Sequence, residues 1–323
     1  MKFHGRRVAF GLLLILPALA HLGHTQEPTD KREAIPAMSP PRPVRTLFVG
    51  NSLFFGAGSP VRYYRSGSVT DLNGTGFGGV PALFKAFTQQ AGHDYAVSHV
   101  LDSGKGLDFH LAEHAAILSQ PWDLAILLSH SLLDRDRPGD PALLAKSVVG
   151  VRQLIGSGNP NVSIKLVTTL PRPDQVYVVK GHWHGRGLER MAADVRQGYE
   201  LAASAASLAG AVIPAGEAWI LAVQAGIADA NPYNGISAGQ MNLWAEDNHH
   251  ASAHGYYLTA LMIFGAVTGL DPRDLGDTEQ CAFDLGFTKK QTEALQRVAS
   301  EFLLQQPGAA PLRKFNRRNL GRP

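Results

Sequence analysis

The chain has 323 residues, 45% hydrophobic and 18% charged, a composition that excludes a disordered chain or a fibre and can bury the core of one large domain. The net charge of +3 is carried by the two ends: three basic residues precede residue 8 and five follow residue 312, so residues 8–312 carry −5. Because this body is mildly acidic, we expect no nucleic-acid partner.

The first 20 residues have the pattern of a secretory signal peptide. A basic start is followed by an apolar run over 8–20 that is too short to span a bilayer comfortably, and Ala18-Leu19-Ala20 resembles an A-x-A cleavage site. The alternative is an uncleaved membrane anchor with the same outward destination. We expect a secreted or periplasmic protein with no transmembrane span once the signal is removed.

The rest of the chain divides by composition into three parts. Residues 21–44 are rich in proline and read as a linker, 45–306 form the expected domain, and 307–323 form a basic tail, for which we favour a solvated end. Cys281 is the only cysteine, so no intrachain disulfide can form.

Within the domain, short apolar runs alternate with patterns of helical spacing. Strands are predicted near 45–49, 95–101, 123–129, 163–169 and 211–213. Helices are predicted at 80–91, 107–118, 141–156, 188–209, 252–268 and 288–304. This alternation indicates an α/β fold with a mainly parallel five-stranded sheet and helices on both faces. Two long loops, 53–79 and 171–187, each follow a predicted strand and are candidate walls of a substrate cleft.

One serine lies where an α/β enzyme presents a nucleophile. The first predicted strand ends at Gly50, and Ser52 follows two residues later. A serine nucleophile needs a base and a carboxylate that orients that base. Asp247 and His250 are three residues apart before an apolar helical pattern, so one turn can hold the carboxylate against the ring. His249 is the alternative base.

In this order, the motifs resemble those of the SGNH, or GDSL-type, hydrolases. Gly50-Asn51-Ser52 resembles their nucleophile block, Asp102-Ser103-Gly104 their glycine block, and Asp247-x-x-His250 their terminal block. The resemblance covers roughly residues 44–270. It implies a flavodoxin-like three-layer αβα sandwich and a carboxylic ester hydrolase that often removes acetyl or acyl groups from a carbohydrate. It implies no metal and no organic cofactor, and a small-molecule or polysaccharide ester as substrate.

The resemblance also assigns roles to individual residues. It implies that Ser52 is the nucleophile, His250 the base and Asp247 its orienting partner, with backbone N–H groups of Ser52 and Gly104 in the oxyanion hole. Asn51, in the nucleophile block, is a further candidate for contact with the oxyanion or substrate.

One block departs from the pattern of the family. These hydrolases usually carry Gly-x-Asn-Asp after the third strand, whereas this chain has His130 and Ser131 there and no asparagine. Either residue can donate to the oxyanion instead. The departure favours, as the alternative function, a catalytically degenerate carbohydrate-binding protein on the same fold.

Two further patterns have weaker chemical interpretations. His110 and His114 are four apart on a predicted helix with Asp108 nearby, and together with the 182–184 loop they suggest a metal-dependent hydrolase as a third hypothesis. Nothing else in the sequence completes a zinc set, so structural histidines are favoured. The glycine cluster at 74–79 does not directly follow a strand, which argues against a dinucleotide site.

Overall fold

In the computed structural model, residues 42–315 are described; the predicted signal peptide, nearly all of the linker and the end of the tail lie outside them. The six strands are β1 (Val44–Gly50), β2 (Thr70–Asp71), β3 (Tyr95–Leu101), β4 (Leu124–Leu127), β5 (Ser163–Val167) and β6 (Val212–Ile213). All pair in parallel, in the order β2-β3-β1-β4-β5-β6. Without the two-residue β2, this is the flavodoxin-like order 2-1-3-4-5.

Ten α-helices flank the described sheet. They are α1 (Ser52–Phe55), α2 (Gly79–Gln90), α3 (Leu107–Glu113), α4 (Ala115–Leu118), α5 (Ala142–Gly158), α6 (Leu188–Ala205), α7 (Ala215–Gln224), α8 (Ala253–Thr268), α9 (Gln280–Asp284) and α10 (Lys289–Leu304). Helices α3, α5 and α6 pack together as one group, and α2, α8 and α10 as another. The predicted α/β sandwich with a parallel sheet is therefore confirmed. None of these helices is both long and apolar enough to cross a membrane.

The central strands are buried along their length, which explains why their sequences are continuously apolar. In β1, Leu47, Phe48 and Val49 have no exposed surface, and all four residues of β4 are buried. Parallel strands are covered by helices on both faces, so they do not alternate apolar with polar residues.

Four details differ from the predicted elements. The sheet has six strands, because β2 adds a short edge strand inside the predicted 53–79 loop. The predicted helix 107–118 is broken at His114, whose backbone leaves the helical region (φ −117°, ψ 25°). Helix α7 was not predicted, and the 171–187 loop contains a π-helical turn, Asp174–Val178.

The first part of the predicted tail is attached to the domain. The backbone N–H of Arg313 donates to the carbonyl of Gly269, and that of Asp271 donates to the carbonyl of Arg313. One step further, the N–H of Phe315 donates to the carboxylate of Asp274. The ordered domain thus extends to at least residue 315.

Candidate active site

The carboxyl edge of the sheet opens into a cavity of about 310 Å³. Six of the seven predicted site residues line it: Asn51, Ser52, Gly104, His130, Ser131 and His250. The seventh, Asp247, is bonded to His250 from behind. A larger cavity of about 670 Å³, near Arg196 and Gln306, lies elsewhere and has no serine–histidine–carboxylate set in its lining. The smaller cavity is therefore the candidate active site.

Ser52 sits where β1 turns into α1. It is the first residue of that one-turn helix, and 7% of its surface is exposed. A side chain at Gly50 would place its Cβ 2.8 Å from the Phe54 ring, so the tight turn before the serine requires glycine. Neither the hydroxyl nor the backbone N–H of Ser52 donates a hydrogen bond to another described residue.

Asn51 holds this turn in place. Its side-chain oxygen accepts the N–H of Leu53 at 3.1 Å, which caps α1. Its amide nitrogen donates to the carbonyls of Lys105 at 2.8 Å and Ser129 at 3.0 Å. Both amide hydrogens are used in these bonds, so Asn51 is not free to donate to an oxyanion. The prediction that it contacts the oxyanion therefore does not fit this geometry. It instead ties the end of β1 to the segments that follow β3 and β4.

The turn from Asp247 to His250 forms a carboxylate–imidazole pair. One oxygen of Asp247 accepts the ring Nδ1–H of His250 at 2.6 Å, and the other accepts the backbone N–H groups of His249 and His250. Asn248 takes a left-handed conformation (φ 51°) that closes the turn. Ser252 caps α8 by accepting the N–H of Gly255.

These bonds fix the charge of the carboxylate. Partial burial acts to raise the pKa of Asp247, but the hydrogen bonds from the His250 ring and from the two backbone N–H groups outweigh it and hold the pKa at about 2. With Nδ1 bonded to a carboxylate, the Nε2 of His250 is the ring atom available to the cavity. No hydrogen bond joins it to Ser52 among residues 42–315; hydrogen bonds between catalytic groups are often long or poorly aligned until the substrate is in place.

His249 differs from its neighbour. Its ring stacks on that of His250, with centroids 4.3 Å apart and planes at 2°. Burial lowers the pKa of His249 to about 4, helped by Arg172 and by His250. Only the His250 ring is hydrogen-bonded to Asp247, so the geometry favours His250 as the base.

A single tyrosine links the two halves of the site. The single hydroxyl hydrogen of Tyr256, in the first turn of α8, is shared between the carbonyls of Ser52 at 3.1 Å and Ala57 at 3.0 Å. This residue is buried and is not among those that line the cavity. The helix that follows His250 is thereby attached to the segment that carries Ser52.

Gly104 offers a second backbone donor. It lines the cavity in a left-handed conformation (φ 67°), which favours glycine even though no atom would touch an added Cβ. Like that of Ser52, its N–H donates to no acceptor in the described part of the chain. Two free N–H groups therefore flank the same cavity, as an oxyanion hole requires.

Ser131 occupies the place of the missing asparagine. Its hydroxyl oxygen accepts a hydrogen bond from Nη1 of Arg172 at 3.1 Å, which leaves its own O–H free to donate into the cavity. His130 lies beside it; burial lowers its pKa, and the charges of Arg172 and Arg135 lower it further. The His130 ring is therefore neutral at neutral pH.

Arg172 is the site residue that the sequence analysis missed. It lines the cavity, is 7% exposed, and donates through Nε to Asp174 at 3.0 Å. It lies in the 171–187 loop, which is predicted to form a wall of the cleft, but none of the predicted motifs includes it. The available signal was the Arg-x-Asp spacing of Arg172 and Asp174 in the loop that follows β5.

No protein-family model and no curated protein matches this chain. Among solved structures, a DUF4886 family protein from Bacteroides uniformis aligns with a TM-score of 0.52 at 14% identity over 82% of this chain and 96% of that one. Two weaker similarities have TM-scores of 0.42. One is to a candidate SGNH hydrolase from Slackia heliotrinireducens (17% identity, 70% of this chain, 100% of that one). The other is to a variant of an acetyl-xylooligosaccharide esterase from Geobacillus (14%, 69% and 94%). At 14% identity, the similarity to the DUF4886 family protein shows a shared fold.

Proposed function

We propose that this protein is a secreted or periplasmic serine esterase that removes acetyl or other short acyl groups from a carbohydrate-type substrate. The observation that carries the proposal is the convergence of Ser52 and His250 on one cavity, with His250 bonded to Asp247 at 2.6 Å. A nucleophile, a base and an orienting carboxylate are the groups that acyl transfer to serine requires.

The proposed reaction has two acyl-transfer steps. In the first, the Ser52 oxygen bonds to the ester carbonyl carbon while Nε2 of His250 takes the hydroxyl proton; the alcohol then leaves with that proton. In the second, water attacks the acyl-enzyme and gives a proton to His250, and the acid departs as Ser52 regains its hydrogen. Asp247 stays ionised throughout and stabilises the protonated ring.

The oxyanion of each step would be held by three donors. Two are the backbone N–H groups of Ser52 and Gly104, which have no other acceptor among the described residues. The third is the hydroxyl of Ser131, which Arg172 orients from behind. Arg172 acts here as a positioning residue whose positive charge also favours the developing negative charge.

The size of the acyl group, the type of alcohol and the export of the protein are each supported by a different observation. A cavity of about 310 Å³ is at the small end of ligand sites and suits a short acyl group. The carbohydrate-type alcohol follows from the sequence resemblance. Export is supported by the signal-peptide pattern of residues 1–20.

A covalent probe tests the proposal directly. A fluorophosphonate should label the wild-type protein at Ser52, and p-nitrophenyl acetate should be hydrolysed. Ser52→Ala should abolish both, whereas Ser68→Ala, on an exposed loop, should abolish neither. Labelling with no change in Ser52→Ala would refute the assignment. Absence of labelling and hydrolysis, with binding of an acetylated oligosaccharide retained, would favour the degenerate carbohydrate-binding protein.

A further inference from the structure

A second cluster of polar side chains lies behind the candidate active site, between the end of β3 and helix α3. Its members are Asp102, His110 and His114, and their potential ligand atoms all lie within 4.8 Å of one another. His110 and His114 are one helical turn apart and therefore share a face of the helix. Asp102 follows β3 directly and completes a set that the sequence alone did not bring together.

The hydrogen bonds of His110 fix which ring nitrogen carries its hydrogen. Nε2 lies 2.8 Å from the carbonyl oxygen of Gly50, and a carbonyl can only accept, so Nε2 is the N–H. The ring has no exposed surface, and burial favours the neutral imidazole over the charged one against the attraction of the nearby Asp102. Nδ1 therefore presents a lone pair.

Among residues 42–315, that lone pair has no hydrogen-bond partner. Nδ1 of His110 is buried and unsatisfied, and it lies 3.9 Å from Oδ2 of Asp102, which is also an acceptor. A buried nitrogen lone pair that faces a carboxylate oxygen is unfavourable unless a cation or a hydrogen-bond donor lies between them. The nearby His114 supplies its Nε2–H to Asp102 at 2.9 Å but leaves His110 unsatisfied.

We propose that Asp102, His110 and His114 bind a divalent transition-metal ion of the Zn²⁺ class. Two nitrogens and one carboxylate oxygen form a donor set that such ions accept, with water in a fourth position. Neighbouring ligands of a tetrahedral zinc are about 3.4 Å apart, given bonds of about 2.0–2.1 Å. The observed separations of 2.9 Å and 3.9 Å from the Asp102 oxygen bracket that value.

The surroundings of the cluster fit a metal centre. A histidine ligand usually donates its second ring N–H to a carbonyl or carboxylate, as His110 does to Gly50. Asn73 donates to Oδ2 of Asp102 at 3.2 Å and would orient the carboxylate. The side chains of His114 and Asp102 are 18% and 28% exposed, so an ion can enter from solvent. On binding, His114 would move its ring hydrogen from Nε2 to Nδ1, with no net release of a proton.

The ion would stiffen the candidate active site without taking part in its chemistry. Gly50 lies two residues before Ser52, and Asp102 lies two residues before Gly104. A metal held by Asp102 and by the helix that is bonded to Gly50 would connect the nucleophile turn to the loop that carries the Gly104 N–H. The inference does not depend on the proposed esterase activity.

The test uses the untagged chain, stripped of metal by a chelator and dialysed. Zn²⁺ is titrated by calorimetry, and Co²⁺ is added in parallel to follow its visible absorption bands. The wild type should bind one equivalent of each, and Zn²⁺ should raise its Tm by several degrees. His114→Gln, chosen because His114 is partly exposed and its loss spares the core, should weaken binding by at least about tenfold. His184→Gln, in an exposed loop, is the matched control and should bind like the wild type.

Two results would overturn the metal proposal: absence of a stoichiometric site in the wild type, or equal affinity in wild type and His114→Gln. Circular dichroism of each variant shows whether a loss of binding reflects unfolding. Ser52→Ala should keep the metal site intact, so failure of the esterase proposal and failure of the metal proposal are separate results.

Discussion

The two segments that meet in the candidate active site are built in opposite ways. The turn that carries Ser52 is buried, and Asn51, which is 3% exposed, ties it to two other strand ends through hydrogen bonds. The turn that carries His250 lies at the surface, and the Asp247 side chain is 47% exposed. Its hydrogen bonds are local, within residues 245–250.

The Ser52 turn is thus held by contacts with the rest of the fold, whereas the His250 turn is held by hydrogen bonds within the turn itself. The nucleophile is placed by the sheet itself, so changing its supports should cost folding stability. The base is placed by bonds between close neighbours, so changing its supports should cost activity and little stability. The following predictions test this contrast, from the largest expected effect to the smallest.

The base turn should be indispensable for activity. His250→Ala should lower kcat/KM for p-nitrophenyl acetate by about 10⁴-fold or more, because the nucleophile loses its proton acceptor. His249→Ala should lower it by less than about tenfold, because the His249 ring stacks on His250 without bonding to Asp247. Steady-state kinetics of both variants decide the matter, and the reverse ranking would make His249 the base.

The replacement for the missing asparagine should matter next. Ser131→Ala should lower kcat by about 10²–10³-fold with a small change in KM, because it removes a donor that acts on the oxyanion in the transition state. Ser131→Thr, which keeps a hydroxyl, should recover part of the rate. Unchanged kcat in Ser131→Ala would assign the third donor elsewhere, with His130 as the next residue to test.

The hydrogen bonds of Asn51, which hold the turn that carries Ser52, should contribute to folding stability. Asn51→Ala should lower the free energy of unfolding by about 2–4 kcal/mol, because it removes a helix cap, leaves the buried carbonyl of Ser129 unpaired and removes the bond to the carbonyl of Lys105. Urea denaturation measures this. Asp247→Asn is the matched control on the exposed turn and should cost less than about 1 kcal/mol at neutral pH. Equal costs for the two variants would contradict the contrast between the segments.

The smallest effect concerns acid stability. The pKa of Asp247 is about 2 in the folded chain, below its ordinary 3.8, so the ionised carboxylate contributes stability above pH 3.8 that is lost as pH falls toward 2. Solvent screening of this half-exposed group limits the contribution to less than about 1 kcal/mol. The stability difference between wild type and Asp247→Asn should therefore be smaller at pH 2.5 than at pH 6. A difference that grows on acidification would contradict the assignment.

The sequence predicted the elements whose pattern is set by burial and missed those that lack such a pattern. Buried strands such as β1 and β4 are continuous apolar runs, whereas β2 has only two residues and no period to detect. Helix α7 is buried on most sides, with Ala218, Trp219, Ile220 and Ala222 all inside, so it lacks the polar face by which an amphipathic helix is recognised.

The candidate site was predictable where its parts are contiguous in the chain. Asp247 and His250 are close in sequence, and the position of Ser52 after a strand is a local feature. The contacts of Asn51 and Arg172 join the ends of different strands, and only the three-dimensional order of those strands brings them together. For the same reason, sequence reasoning paired His110 and His114 with Asp108 rather than with Asp102.

The bond from Tyr256 to the nucleophile segment has a consequence for turnover. Its phenol lies outside the cavity lining, so a substrate can enter and a product can leave without displacing it. The segment that carries Ser52 and the helix that follows His250 are then joined by a hydrogen bond that lies outside the cavity lining. In the proposed reaction, the segments that carry Ser52 and His250 therefore stay attached while one ester replaces another.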